Sequence, residues 1–195
     1  MPFKRPALEV SVIMRREPIV GAMSRWQSHR WVLEDVALEG EASIDVVEKT
    51  AQLISKDDSK ERWKHAGYRA ELFSDDAEGY YLNVTTDAPC WFVLWRMEEE
   101  ASVDKEPIAK PEMVSLSYHD AGRWLDAQET VEQVPLPPEV VAWLQAFVDE
   151  HHVIETKKRK RPESFKRLED RFGNPVSITT EKKMGGGFQG GNNHG

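Results

Sequence analysis

The chain has 195 residues, among them seven Trp and a single Cys, a formal net charge of −8 at pH 7 and a mean hydropathy of −0.60. That length fits one domain with appendages, and a lone cysteine excludes an intrachain disulfide and any zinc or iron–sulfur site built from this chain's cysteines alone. The longest apolar run, residues 89–95, is far below the roughly 20 residues of a membrane-spanning helix, and the stretch 7–14 is broken by Glu9 and Ser11 before Arg15 and Arg16, unlike a secretory leader, so a cytoplasmic protein is expected.

Residues 8–16 alternate apolar and polar and predict a strand, which Pro18 and Gly21 break. A second strand is predicted over 30–38. Residues 39–66 read as an insertion with two solutions. Ile44, Val47, Ala51 and Ile54 fall at helical spacing, whereas 43–47 also fits a short strand; 55–62 is dense in charge and expected at the surface. Residues 68–73 and 80–85 carry aromatic and β-branched side chains on either side of Ser74, Asp75, Asp76 and Gly79, which predicts an antiparallel hairpin. Residues 90–97 form the most apolar strand. Trp91, Val93, Trp95 and Met97 fall on one face and Phe92 and Leu94 on the other, the pattern of a strand covered on both sides. Residues 98–111 read as a loop with Pro107 and Pro111, and 113–117 as a short strand. Ser117 and Asp120 form a capping box that opens a helix with Tyr118, Ala121, Trp124 and Leu125 on its apolar face. A stronger helix runs over 137–151, with prolines in its first turn and a stripe of Val140, Val141, Leu144, Phe147 and Val148.

Charge changes sign where the second helix ends. Residues 1–156 hold 16 Lys and Arg against 30 Asp and Glu, net −14, whereas 157–195 hold 10 against 4, net +6. The expected organisation is an acidic domain over 1–156 and a basic, mostly disordered tail over 157–195. The tail begins Lys157, Lys158, Arg159, Lys160, Arg161. Phe165, Leu168 and Phe172 can share one face of a short amphipathic helix over 164–172. The fold expected for the domain is α+β: a curved antiparallel sheet, or a small barrel, of about five or six strands packed on one or two C-terminal helices.

Chemistry-bearing residues give no catalytic pattern. Cys90 precedes the most apolar strand and reads as a buried structural thiol. The histidines contain no HExxH or i,i+4 pair, so no metal and no cofactor is expected. Asp75 to Glu78 lack the spacing of a calcium loop. The aromatic residues read mainly as core; Trp26 and Tyr80 are candidates for an exposed aromatic surface. The acidic domain disfavours nucleic acid there, since phosphates call for Lys and Arg. The candidate partner-binding residues are therefore Lys157, Lys158, Arg159, Lys160, Arg161, Phe165, Leu168 and Phe172.

Four stretches carry a resemblance: 10–16 with 24–31, including Trp26, Gln27 and Ser28; 78–83 with 91–96, including Glu78, Gly79, Tyr80 and Tyr81; 114–118 with 121–126; and 134–138 with Trp143. Over residues 8–160 the chain resembles a bacterial domain of unknown function whose genes often lie beside those of molybdenum-dependent formate dehydrogenases. The resemblance carries no activity or catalytic residues. It implies a non-enzymatic accessory or maturation protein whose partner is formate dehydrogenase or its assembly machinery. Two other readings stand beside it. One is a regulatory or nucleic-acid-binding module acting through the basic tail. The other is an enzyme with an acid/base pair among Glu71, Asp75, Asp76, Glu78 and Asp87.

Overall fold

Alternation of apolar and polar residues makes strands of the first part of the chain. The structure, a computed structural model, describes residues 5–41, 48–99 and 106–154. β1 (Ala7–Pro18), β2 (His29–Glu41), β3 (Thr50–Lys56) and β4 (Glu61–Glu71) form one antiparallel sheet in the order β2-β1-β4-β3. β1 is the middle of it: Val10, Val12 and Met14 are completely buried on the inner face. Ser11 points the other way and is also buried, its hydroxyl donating to the Glu39 carboxylate.

The insertion 39–66 is resolved in favour of strand over its described part. Ala51 and Ile54 belong to β3, an exposed edge strand, and not to a helix; Ile44 and Val47 lie outside the described residues. The charged segment forms the β3–β4 turn. There the Asp57 carboxylate accepts hydrogen bonds from the backbone N–H of Ser59 at 2.8 Å and of Lys60 at 2.7 Å, an Asx turn of the kind that short polar side chains nucleate. These bonds hold the Asp57 carboxyl below the usual range. A bulge in β4 falls at Gly67, where φ is +87° and a Cβ would lie 2.6 Å from the Glu48 carbonyl oxygen. Only glycine fits there, because the backbone approach and the left-handed conformation both exclude a side chain.

The hairpin expected from 68–85 is half wrong. β4 contains Tyr68, but residues 80–85 are not a strand. They lie in and just after α1 (Ala77–Val84). Tertiary contacts override the strand propensity of Tyr80, Tyr81 and Val84. Tyr80 packs edge-on against Phe147 at 5.8 Å. The Asn83 side chain is buried between the start of one strand and the residue that follows another: its amide donates to the carbonyls of Cys90 and Leu116, both at 2.8 Å, and its oxygen accepts from Cys90 N–H at 3.0 Å.

β5 (Cys90–Met97), β6 (Ala109–Ser115) and β7 (Thr130–Pro135) form a second antiparallel sheet, ordered β6-β5-β7. The architecture is therefore α+β, as expected, but the seven strands among the described residues divide into two open sheets in place of one curved sheet or a barrel. β5 is covered on both sides. Trp91 and Val93 join the main core with β1, α1 and α3 (Pro138–His151), while Cys90 and Phe92 lie under α2 (Tyr118–Asp126) with Ala121 and Trp124. β7 carries no strong sequence signal. Its Glu132 carboxylate accepts from the Trp95 indole N–H at 2.6 Å and from Leu33 N–H at 3.1 Å, so one acid ties β5 and β7 to β2.

α2 opens on half of the expected capping box, because the Ser117 N–H donates to Ser115 Oγ at 3.0 Å and not to Asp120. The Ser117 hydroxyl accepts from His119 N–H and Asp120 N–H, satisfying donors that a helix start leaves open. Two of its four expected core residues differ: Ala121 is buried and Trp124 half-buried, whereas Tyr118 and Leu125 are exposed. α3 buries Val140, Leu144, Phe147 and Val148 in the main core, each such side chain contributing roughly 1.5–3 kcal/mol. Its last turn is closed by His152, whose ring stacks on Tyr81 at 4.2 Å.

Candidate functional site

At one end of the four-stranded sheet the register sets Trp31, Arg16, Glu61 and Lys56 side by side across β2, β1, β4 and β3. The period-2 alternation of β1 and β4 puts Arg16 in line with buried Met14, and Glu61 in line with Trp63. Glu98, Glu106, Pro107 and Ile108, which flank β5 and β6, form the opposite wall. Together these residues line a cleft of about 640 Å³, a size in the range of small-ligand and peptide side-chain sites.

Its walls combine two indoles with five charged groups. Lys56 Nζ lies 2.9 Å from Glu61, and Arg16 lies 2.6 Å from Glu106 and 3.7 Å from Glu61. The Lys56 hydrogen bond is the main reason the Glu61 carboxyl sits below its ordinary range; Trp63 N–H and Arg16 act in the same direction against partial burial. Glu98 accepts a long hydrogen bond from Ile108 N–H at 3.4 Å. The lining thus holds three carboxylates against two cations.

Two residues along β4 from Trp63, His65 is 2% exposed. Its Nε2 has no hydrogen-bond partner. Burial, reinforced by the Lys110 charge, brings its pKa down to about 4, so the ring is neutral at pH 7.

The aromatic candidates separate sharply. Tyr80 is 1% exposed and is not a surface residue. Its hydroxyl accepts from Phe73 N–H at 3.2 Å, and burial pushes its pKa up to about 12. Trp26 is 87% exposed. It sits on the β1–β2 connection beside Val20 and Met23, which are 92% and 64% exposed. Backbone bonds from Ile19 N–H to the Ser28 carbonyl, Ser24 N–H to the Gly21 carbonyl and Trp26 N–H to the Met23 carbonyl fasten this loop. The candidates in the basic segment, Lys157, Lys158, Arg159, Lys160, Arg161, Phe165, Leu168 and Phe172, lie outside the described residues, as does the domain boundary at 156.

The other chemistry-bearing groups are engaged in structure. Cys90 is buried, its thiol directed at Gln133 Oε1 at 3.5 Å, and burial raises its pKa. Asp76 pairs with His119 Nδ1 at 2.8 Å. Nearby Ser117 is fully buried, with its hydroxyl spent on the α2 cap. None of Glu71, Asp75, Asp76, Glu78 and Asp87 lines the cleft. Among the described residues no helix is long and apolar enough to cross a membrane.

Sequence reasoning did not find the cleft. Arg16 reads as the end of the first strand, and Lys56 and Glu61 as part of the charged surface stretch 55–62; their alignment depends on a strand order that pairs β1 with β4 across the insertion. The one available signal was an inward-phased charge at Arg16, two residues after Met14. No curated protein and no solved structure matches the chain. A family model described as protein of unknown function, DUF3305, matches residues 9–161. Since that match covers most of the chain, from Glu9 in β1 to beyond the end of α3, the protein belongs to the DUF3305 family.

Proposed function

We propose that the protein is a non-enzymatic accessory or maturation factor that works by docking on another protein, a molybdenum-dependent formate dehydrogenase or its assembly machinery. The observation that supports docking is the β1–β2 loop, which holds Trp26, Met23 and Val20 in water on a backbone fixed by its own hydrogen bonds. An ordered, solvent-facing indole with apolar neighbours is the usual anchor of a protein interface: tryptophan is enriched among the few residues that dominate binding, and pre-ordering lowers the entropy lost on association. The basic run Lys157 to Arg161 adds long-range steering toward an acidic partner surface.

The identity of the partner rests on the resemblance of residues 8–160 to a domain encoded beside formate dehydrogenase genes. Deletion of the gene tests it. Formate oxidation is expected to fall, with reduced cofactor loading of the enzyme, and the wild-type gene should restore both while Trp26→Ala should not. A deletion strain with full formate oxidation and normal cofactor loading would refute the assignment.

A further inference from the structure

We propose that the cleft between Trp31 and Trp63 receives a cationic segment of the protein partner, with a lysine or arginine side chain lying against the indoles and its charge directed to Glu98, the lining carboxylate that neither Arg16 nor Lys56 engages. The inference rests on the docking function proposed above but not on which enzyme is docked. Charge decides the sign of the ligand. Lys56 is already bonded to Glu61, and Arg16 to Glu106. An anion entering the cleft would have to break one of these ion pairs to find a partner. A cation finds a surplus carboxylate, because Glu61, Glu98 and Glu106 outnumber the two bases. The indoles act in the same direction, since the negative face of an aromatic ring attracts ammonium and guanidinium groups and does so more strongly when water is excluded. The net charge of −14 over residues 1–156 extends that preference beyond the cleft by raising the encounter rate of basic segments.

The volume fits a peptide better than a free ion. About 640 Å³ walled by two indoles, Pro107 and Ile108 has room for a basic side chain together with the aliphatic stem and backbone that carry it, and long basic side chains lay their stems along apolar surface.

The test uses the full chain and a fluorescein-labelled oligolysine peptide, followed by fluorescence anisotropy. Saturable binding is expected. The double variant Glu98→Gln/Glu106→Gln, at two exposed positions, should weaken it about tenfold, and Trp31→Leu should weaken it roughly five- to thirtyfold, the range that loss of a cation–π contact and its shielding gives. Glu139→Gln/Glu150→Gln removes the same charge from exposed sites on α3 and should leave the affinity unchanged. Equal weakening by the two Gln pairs would mean diffuse attraction to an acidic body and would overturn the proposal, as would absence of binding or tighter binding of oligoglutamate. Co-purification with formate dehydrogenase from the host separates the two claims. An enzyme that co-purifies equally with wild type and with Glu98→Gln/Glu106→Gln sinks the cleft as the docking site and leaves the accessory role standing. Cleft-specific peptide binding without co-purification sinks the enzyme assignment and leaves the cleft.

Discussion

Asn83 is the point at which α1 is joined to the second sheet, and its removal should be among the most damaging single changes in the protein. The side chain is 1% exposed and makes three hydrogen bonds to backbone groups, to the Cys90 carbonyl, the Leu116 carbonyl and the Cys90 N–H. Asn83→Ala takes away all three at once and leaves buried groups that water cannot easily reach. Each stranded group costs about 1–3 kcal/mol; with some relaxation around the small cavity the total is roughly 3–5 kcal/mol. For a domain of this size each kcal/mol lowers the melting temperature by about 2–4 °C, so a fall of roughly 6–20 °C is expected. Urea titration followed by tryptophan fluorescence should show a lower midpoint with an unchanged slope. Asn83→Asp sharpens the test. At pH 7 it aims a carboxylate at two carbonyl oxygens, which raises its folded-state pKa above the unfolded value. Its deficit relative to wild type should therefore be largest at pH 7 and shrink as pH falls and the protonated acid regains one donor. A loss below about 1 kcal/mol for Asn83→Ala would refute the assignment of the α1–sheet junction to this side chain.

Two helical glycines should respond with opposite sign. At Gly79 an added Cβ would lie 2.4 Å from the buried Ser117 hydroxyl and 2.7 Å from the Asp76 carboxylate, whereas at Gly122 it meets nothing within 4 Å. Gly79→Ala should cost about 1–3 kcal/mol through overpacking, and Gly122→Ala should stabilise by about 0.5–1 kcal/mol, both read by chemical denaturation. His65 contributes acid sensitivity. Its folded pKa of about 4 lies below the ordinary imidazole value of 6.5, so the unfolded chain binds the extra proton first; stability is complete above pH 6.5 and declines as pH falls toward 4. Between pH 7 and pH 5 this amounts to about 2 kcal/mol, which His65→Phe should abolish; equal acid sensitivity in that variant would contradict the account. Trp26→Ala should change folding stability by less than about 0.5 kcal/mol, because the indole is in water, yet reduce capture of the partner in a pull-down from the host; unimpaired capture would remove Trp26 from the interface.

The parts of this fold that could be read from the residues are those whose stability is local or one-sided. β5 is legible because Trp91 to Leu94 are apolar without interruption, α2 because Ser117 caps its own helix, and α3 because prolines open it and a wide stripe follows. α1 was misread as strand because Tyr80, Tyr81 and Val84 favour extended backbone in isolation, and the contacts that bend them into a helix, Asn83 to β5 and Tyr80 to Phe147, come from distant positions. β7 escaped notice because Glu132 and Gln133 look like loop residues until Trp95 and Leu33 supply the donors that bring a carboxylate inside. The cleft was illegible for a related reason. Its residues are gathered by cross-strand register over four strands, and register between strands separated by an insertion is not encoded in any short stretch of sequence.

The Asx turn between β3 and β4 has a practical consequence. Ser59 is exposed at its tip, three residues from Lys56 and two from Glu61, while the chain's one native thiol, Cys90, is buried and held protonated by that burial. A Ser59→Cys substitution would introduce a thiol that maleimide dyes reach while the native one stays shielded, and the fluorophore would hang beside the mouth of the cleft, where occupancy could be followed in real time without disturbing either sheet.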